Sequence, residues 1–131
     1  MKLQKTIKRK RRRKSERWGW FKKLDDLLRV IVKERDKICQ RCGKDYDLQD
    51  AHIFSRRCLS TRWNTANHIL LCKRCHIFWA HPNGPAFTLW IVDKIGMDEL
   101  RALETNSTMV VHWKNPELEN IYNGLIDMFK M

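Results

Sequence analysis

The chain has 131 residues and a formal net charge of +12, and 43% of its residues are hydrophobic. This length suits one domain with an apolar core. No apolar run exceeds four residues, which excludes a membrane-spanning helix, and no apolar segment of a signal peptide follows the basic N-terminus. A cytoplasmic, reducing setting is therefore expected.

The N-terminal segment holds most of the charge. Residues 1–14 carry nine Lys or Arg and no acid, which is +9 of the +12. Mutual repulsion predicts a disordered tail over residues 1–17. We expect this tail to bind DNA phosphates, with a solubilising or targeting tail as the alternative. Its core is seven consecutive cations: Lys8, Arg9, Lys10, Arg11, Arg12, Arg13 and Lys14.

The rest of the chain, residues 18–131, is predicted to form one domain. Helical spacing of apolar side chains predicts a first helix over 18–36, and short apolar segments predict strands at 48–54 and 68–72. KRCHIFWAH begins a helix that HPNGP ends. The C-terminal part, 85–131, is predicted to hold helices at 87–95, 97–104 and 115–131, with Gly96 as a stop and Asn115 as an N-cap. Some aromatic and histidine side chains are expected in the core: Trp63, Phe78, Trp79, Trp90, His68 and His112.

Two CxxC pairs, Cys39 with Cys42 and Cys72 with Cys75, predict a structural zinc site. Four thiolates fill a tetrahedron at a Zn–S distance of ~2.3 Å, which leaves no zinc position for a histidine. Two disulfides suit a reducing compartment poorly, and a redox site needs only one pair. The fifth cysteine, Cys58, is expected to be a half-buried free thiol.

Three polar residues are threaded through this cysteine pattern. DAHI contains His52, RWNTAN ends at Asn67, and His76 directly follows the second cysteine pair. Over residues 39–81 this order resembles the HNH endonucleases, in particular the small zinc-containing enzymes of bacteriophages. AHIFSRR and TRWNTAN are more loosely similar to the lambda-type NinG/Rap recombination nucleases. The HNH resemblance implies an α+β, mainly helical fold with a ββα-metal, treble-clef-like core, and hydrolysis of a DNA phosphodiester with one divalent cation, Mg²⁺ or Mn²⁺.

The resemblance also implies roles for single residues. His52 is the expected general base, because an imidazole accepts a proton near neutral pH. His76 is the expected first ligand of the catalytic cation. Asn67 either holds the loop beside the base or reaches the cation. Asp50 shares the strand face of His52 and either completes the metal site or orients the base. His81 is a weaker candidate, because five residues turn about 140° round an ideal α-helix.

The predicted function is a metal-dependent HNH endonuclease that nicks DNA in a phage context, acting as a monomer or weak homodimer. Other phage DNA-processing proteins are further candidate partners. The alternatives are a structure-selective nuclease for branched DNA and a non-catalytic zinc-binding DNA module. Cations near the motif are expected to hold phosphates, with an ordinary solvated face as the alternative: Arg56, Arg57, Arg62, Lys73 and Arg74.

Overall fold

The computed structural model describes residues 15–130. The tail cations at positions 8–14 and their predicted DNA contacts lie outside these residues. The described chain is mainly helical with one small sheet. No helix within 15–130 is long and apolar enough to cross a membrane. Its elements are α1 (Glu16–Asp36), β1 (Leu48–His52), a 3-10 turn (Thr65–Asn67), β2 (His68–Cys72), a π-helix (Arg74–Ala80), α2 (Gly84–Ile95), α3 (Met97–Ser107) and α4 (Asn115–Lys130).

Helix α1 begins at a side-chain cap. The Ser15 hydroxyl oxygen accepts a hydrogen bond from the Trp18 backbone N–H at 3.2 Å, which satisfies one of the unpaired donors of the first turn. The helix therefore begins two residues earlier than the sequence predicts, and residues 16–17 belong to it. Its fully buried side chains, Leu24, Leu28 and Val32, are spaced four apart and form one stripe. This stripe packs on α4 and β2 in one of the two core clusters.

The sheet has two antiparallel strands, with Leu48 opposite Cys72 and His52 opposite His68. All of β2 is buried, since helices cover both of its faces. Ile69 and Leu71 pack with the residues around the π-helix, whereas Leu70 packs with α1. The strand β1 ends at His52, two residues earlier than predicted.

The C-terminal end of α1 is tied to β2 by polar contacts. The Arg35 guanidinium donates to the carbonyl oxygens of Thr65 at 2.7 Å and His68 at 2.6 Å. The Asp36 carboxylate accepts the Leu70 backbone N–H at 3.0 Å. These contacts fix the start of β2 against the helix.

Besides the start of α1, one helix start, one helix end and one predicted N-cap differ from prediction. Helix α2 begins at Gly84 instead of residue 87. Pro85 is compatible with the first turn of this helix, in addition to ending the preceding one. Gly96 ends α2 as predicted, with a φ of 88° that favours glycine. Helix α3 continues to Ser107, and α4 includes Asn115 instead of beginning after it.

The core prediction holds for some aromatic residues and fails for others. Trp63 is buried, and Trp79 and Trp90 are half-buried in an edge-to-face contact. The prediction of a buried Phe78 is wrong, since its side chain is 67% exposed: the π-helix turns its short residues to the core and Phe78 outward. His112 is also exposed, because it lies in a segment without helix or strand. Cys58 is a half-buried free thiol, as predicted.

Candidate functional site

The four predicted cysteines come together in the structure. The sulfur atoms of Cys39, Cys42, Cys72 and Cys75 all lie within 4.8 Å of one another, and those of Cys42 and Cys72 are 3.6 Å apart. Tetrahedral zinc with ~2.3 Å bonds requires sulfur separations of about 3.8 Å. The cluster therefore has the composition and spacing to hold a metal ion such as zinc.

Polar groups surround the sulfur atoms. The Cys42 backbone N–H points at Cys39 Sγ, and the Cys75 N–H points at Cys72 Sγ, each at 3.5 Å. Arg41 Nη1 lies 3.6 Å from Cys75 Sγ. Burial raises the pKa of Cys39, but backbone N–H donors outweigh it and lower that pKa to about 6. Burial raises the pKa of Cys75 to about 12. The four neighbouring thiols therefore cannot all lose their protons without a compensating positive charge. A divalent cation would supply that charge.

A cavity of about 800 Å³ runs along the free edge of β1, between α1 and the π-helix. The sequence-predicted residues Asp50, His52 and His76 all line it, together with His81. The buried Asn67 lies behind it. Histidines that are spread over 30 positions of the sequence therefore line one concave surface.

His76 is oriented by a residue that the motif does not contain. Its Nδ1 lies 2.8 Å from Gln49 Oε1. An amide oxygen only accepts, so Nδ1 carries the proton and Nε2 of the neutral ring is an acceptor, which faces Nε2 of His81 at 3.0 Å. Burial and then the neighbouring His81 lower the pKa of His76, which favours this neutral form. Nε2 is therefore available to a metal ion, and a second residue holds the ring as metal-binding histidines require.

His81 lies beside His76, against the expectation from ideal α-helical geometry. The two Nε2 atoms are 3.0 Å apart. The reason is the π-helix: the His81 N–H donates to the His76 carbonyl oxygen at 3.1 Å, an i to i+5 bond that aligns residues five apart. The weaker sequence candidate is thus the direct partner of the stronger one.

The carboxylate of Asp50 is paired with His68 and not with His76. Its two carboxylate oxygens lie 2.8 and 2.9 Å from Nδ1 of the buried His68, and Nε2 of His68 lies 2.7 Å from the Arg62 carbonyl oxygen. Both ring nitrogens therefore face oxygen acceptors at hydrogen-bond distance. With His52 they form a cluster whose ligand atoms lie within 4.8 Å. Since these contacts occupy both ring nitrogens of His68, we interpret the cluster as a hydrogen-bonded support for the cavity wall.

His52 stands at the end of β1 with its ring 4.4 Å from the ring of His68. Burial, followed by the charge of His68, lowers the pKa of His52 to about 4. The ring is therefore neutral at neutral pH and can accept a proton, although as a weaker base than an ordinary imidazole.

Asn67 is fully buried and fixes the chain that follows His52. Its carbonyl oxygen accepts from Ile53 N–H, and its side-chain oxygen accepts from Phe54 N–H, both at 2.8 Å. Its amide group donates to the carbonyl oxygens of Phe54 at 3.1 Å and Thr61 at 3.3 Å. The sequence leaves two roles open for Asn67, holding the loop beside the base or reaching the cation. This geometry matches the first.

The predicted phosphate-binding cations fall into two groups. Arg56, Arg57, Lys73 and Arg74 are exposed. Arg62 is instead half-buried in a two-bond ion pair with Asp25, at 2.7 and 3.1 Å. Asp25 also accepts from the indole N–H of Trp63 at 2.9 Å. We therefore assign Arg62 to the anchoring of its loop on α1 in place of phosphate contact.

The core position predicted for His68 is confirmed, but sequence reasoning missed Gln49 and two cations of α1, Arg29 and Lys33, that line the cavity. Gln49 precedes Asp50 in a predicted strand, but nothing in the sequence marks it as the partner of His76. Arg29 and Lys33 are four apart on a predicted helix, which places them on one side, yet only the packing of α1 shows that this side borders the cavity.

Comparison of the chain with protein-family models, with curated proteins and with solved structures gives no match. The site geometry must therefore carry the functional argument.

Proposed function

We propose that this protein is a metal-dependent endonuclease of the HNH type, with a ββα-metal core, that hydrolyses phosphodiester bonds in DNA. The observation that carries the proposal is the shared cavity. A neutral imidazole, His52, and a pair of histidines, His76 and His81, line the same concave surface beside the cysteine cluster. A zinc-binding DNA module without catalysis needs the cysteines and the cations, but it has no need of these three histidines.

The histidine pair fits a divalent cation. The two Nε2 atoms are hydrogen-bonded to each other at 3.0 Å, and in place of that bond both nitrogens could hold one divalent ion. Gln49 holds the ring of His76 with Nε2 unprotonated and turned towards His81. We assign His76 and His81 as the residues that would hold Mg²⁺ or Mn²⁺, with Asp50 paired with His68 instead of binding the ion.

The proposed reaction begins with a water molecule between His52 and the phosphorus. His52 accepts a proton from this water, whose oxygen forms a bond to phosphorus while the bond to the 3′ oxygen breaks on the opposite side. The strand ends are then a 5′-phosphate and a 3′-hydroxyl, and the 3′ oxygen takes its proton from solvent. When bound, the divalent cation neutralises charge on the phosphate and the leaving oxygen.

The remaining residues hold this arrangement. Asn67 fixes Ile53 and Phe54 and so sets the position of His52 at the strand end. The His68–Asp50 pair fills the cavity wall behind the base. The cysteine cluster holds structural zinc, fixing the start of the π-helix and with it His76, without binding His76 itself.

The experiment that tests the proposal is nicking of supercoiled plasmid by the zinc-loaded full chain, with and without Mg²⁺ or Mn²⁺. We expect conversion to the open-circular form only when the cation is added. Plasmid that is bound but stays supercoiled with every divalent cation would contradict catalysis and favour the non-catalytic module.

A further inference from the structure

Helix α1 presents three cations along one side. Lys22, Arg29 and Lys33 lie within about 40° of one another around the helix axis, at 100° per residue. We call these three residues the basic stripe. Arg29 and Lys33 line the same cavity as His52, and Lys22 lies about 10 Å further towards the start of the helix at 1.5 Å per residue.

The side chains of the basic stripe are open to solvent and weakly held. Those of Lys22 and Arg29 are 59% and 64% exposed, and both bind the carboxylate of Asp26, at 3.0 and 3.1 Å. Exposed ion pairs of this kind contribute about 0–1 kcal/mol. A phosphate can therefore take the place of Asp26 at little cost. Lys33 is exposed and has no ion-pair partner among residues 15–130.

The position of the basic stripe distinguishes it from an ordinary solvated face. It spans about 16 Å of helix, which corresponds to roughly five nucleotides of one strand at ~3.4 Å each. Of the acids of α1, Asp25 is the one that lines the cavity, and its carboxylate is paired with Arg62. A polyanion that follows the basic stripe would therefore reach the cavity without meeting an unpaired carboxylate of α1 there.

We propose that the basic stripe is the surface along which the sugar–phosphate backbone of duplex DNA enters the cavity. The identity of the polyanion rests on the proposed nuclease function, whereas the location of its path rests on the geometry of α1. Phosphates contact Lys22 first, then Arg29 and Lys33, and the strand then lies beside His52.

The first test compares two double variants of the full chain that lose the same charge from the same helix. One is Arg29→Gln with Lys33→Gln. The control is Arg17→Gln with Lys23→Gln, whose cations lie over the rings of Phe21 and Trp20, off the basic stripe. Binding to a fluorescein-labelled 20-base-pair duplex is measured by anisotropy across a salt series, without added Mg²⁺ or Mn²⁺.

We expect the stripe variant to bind on the order of tenfold more weakly at ~0.1 M salt, with a salt slope smaller by about 1.8, since each lost phosphate contact removes about 0.9. The control should stay within about threefold of the original affinity. Equal weakening of the two variants would overturn the proposed path.

The second test is a gain of affinity, which loss of folding cannot imitate. Asp26→Asn removes the one carboxylate that competes with phosphates for the basic stripe, so binding should tighten by about twofold or more. Glu34→Gln, the control on another side of α1, should leave the affinity unchanged. No tightening in Asp26→Asn, or the same tightening in both variants, would contradict the proposal.

The outcomes also separate this inference from the proposed function. Metal-dependent cleavage with equal DNA affinity in both double variants would overturn the basic stripe alone. Stripe-dependent binding without cleavage would overturn the nuclease alone. A full chain that does not bind duplex DNA would overturn both.

Discussion

The Nε2 atoms of His76 and His81 lie 3.0 Å apart because the helix that carries them is a π-helix. In an α-helix, residues five apart diverge by about 140°, and the two rings would face different directions. The wider turn brings them together at the cavity, where Gln49 orients the first ring. A local change in helix type thus creates the pair of nitrogen donors that we assign to a divalent cation.

Removal of His81 is expected to abolish tight cation binding. In zinc-loaded protein, His81→Ala should weaken Mn²⁺ binding by more than ~10-fold, because even residues that only orient a ligand typically contribute 10–100-fold. Electron paramagnetic resonance of free Mn²⁺ measures the affinity. His112→Ala is the matched control, since His112 is exposed and lies outside the cavity. Equal Mn²⁺ affinity in the two variants would remove His81 from the ligand set.

His52 is expected to titrate well below an ordinary histidine. Burial and the charge of His68 lower its pKa to about 4, so the neutral ring persists as the pH falls through 6.5. The ring-proton resonances of His52, assigned by their loss in His52→Ala, should move little between pH 7.5 and 5.5. Between about pH 6.5 and 4, His52 is protonated in the unfolded chain but not in the folded one. The free energy of unfolding therefore decreases as the pH drops through this range. A midpoint near 6.5 would show that the ring is not held as described.

The cysteine cluster is expected to carry one firmly bound zinc ion per chain, separate from the exchangeable cation. Cys39→Ser should leave the protein unfolded or metal-free, because zinc binding in small structural sites contributes on the order of 10 kcal/mol. Zinc analysis with circular dichroism measures both effects. Cys58→Ser is the control, since its thiol lies outside the cluster. Native protein without zinc, or a folded Cys39→Ser chain, would contradict a structural metal site.

The structure and the sequence agree where the local pattern alone decides the outcome. Apolar residues at helical spacing, among them Leu24 and Leu28, predict α1, and the CxxC spacing predicts the cysteine cluster. The sequence does not reveal the π-helix, because its i to i+5 bonds depend on how the sheet and the cluster hold its ends. The pairing of Asp50 with His68 was missed for a similar reason: it needs the strand register, which sets Asp50 opposite Leu70 and close to His68.

The ion pair of Asp25 with Arg62 is expected to stabilise the fold. Burial raises the pKa of Asp25, but hydrogen bonds from Arg62 and Trp63 outweigh it and hold that pKa below 3.8. Asp25→Ala should lower the free energy of unfolding by about 2 kcal/mol at pH 7, since it leaves the half-buried Arg62 and the buried indole N–H of Trp63 without this acceptor. Asp26→Ala, which removes an exposed carboxylate, should cost under about 1 kcal/mol.

Urea unfolding of both variants measures this difference. The contribution of Asp25 is fully present above its unfolded pKa, near 3.8, and is lost as the pH falls through its lower folded value. Equal losses of unfolding free energy in Asp25→Ala and Asp26→Ala at pH 7 would show that the half-buried pair stabilises the fold no more than the exposed carboxylate does.

The most direct test of the nuclease is a comparison of His52→Ala with the original chain. Both proteins are zinc-loaded, shown to bind the same duplex with equal affinity, and mixed in excess with supercoiled plasmid and Mn²⁺. A positioned general base contributes ~10²-fold or more, so single-turnover nicking by the variant should be slower by at least that factor. Nicking by His52→Ala within about tenfold of the original rate would contradict the central claim that this imidazole activates the attacking water.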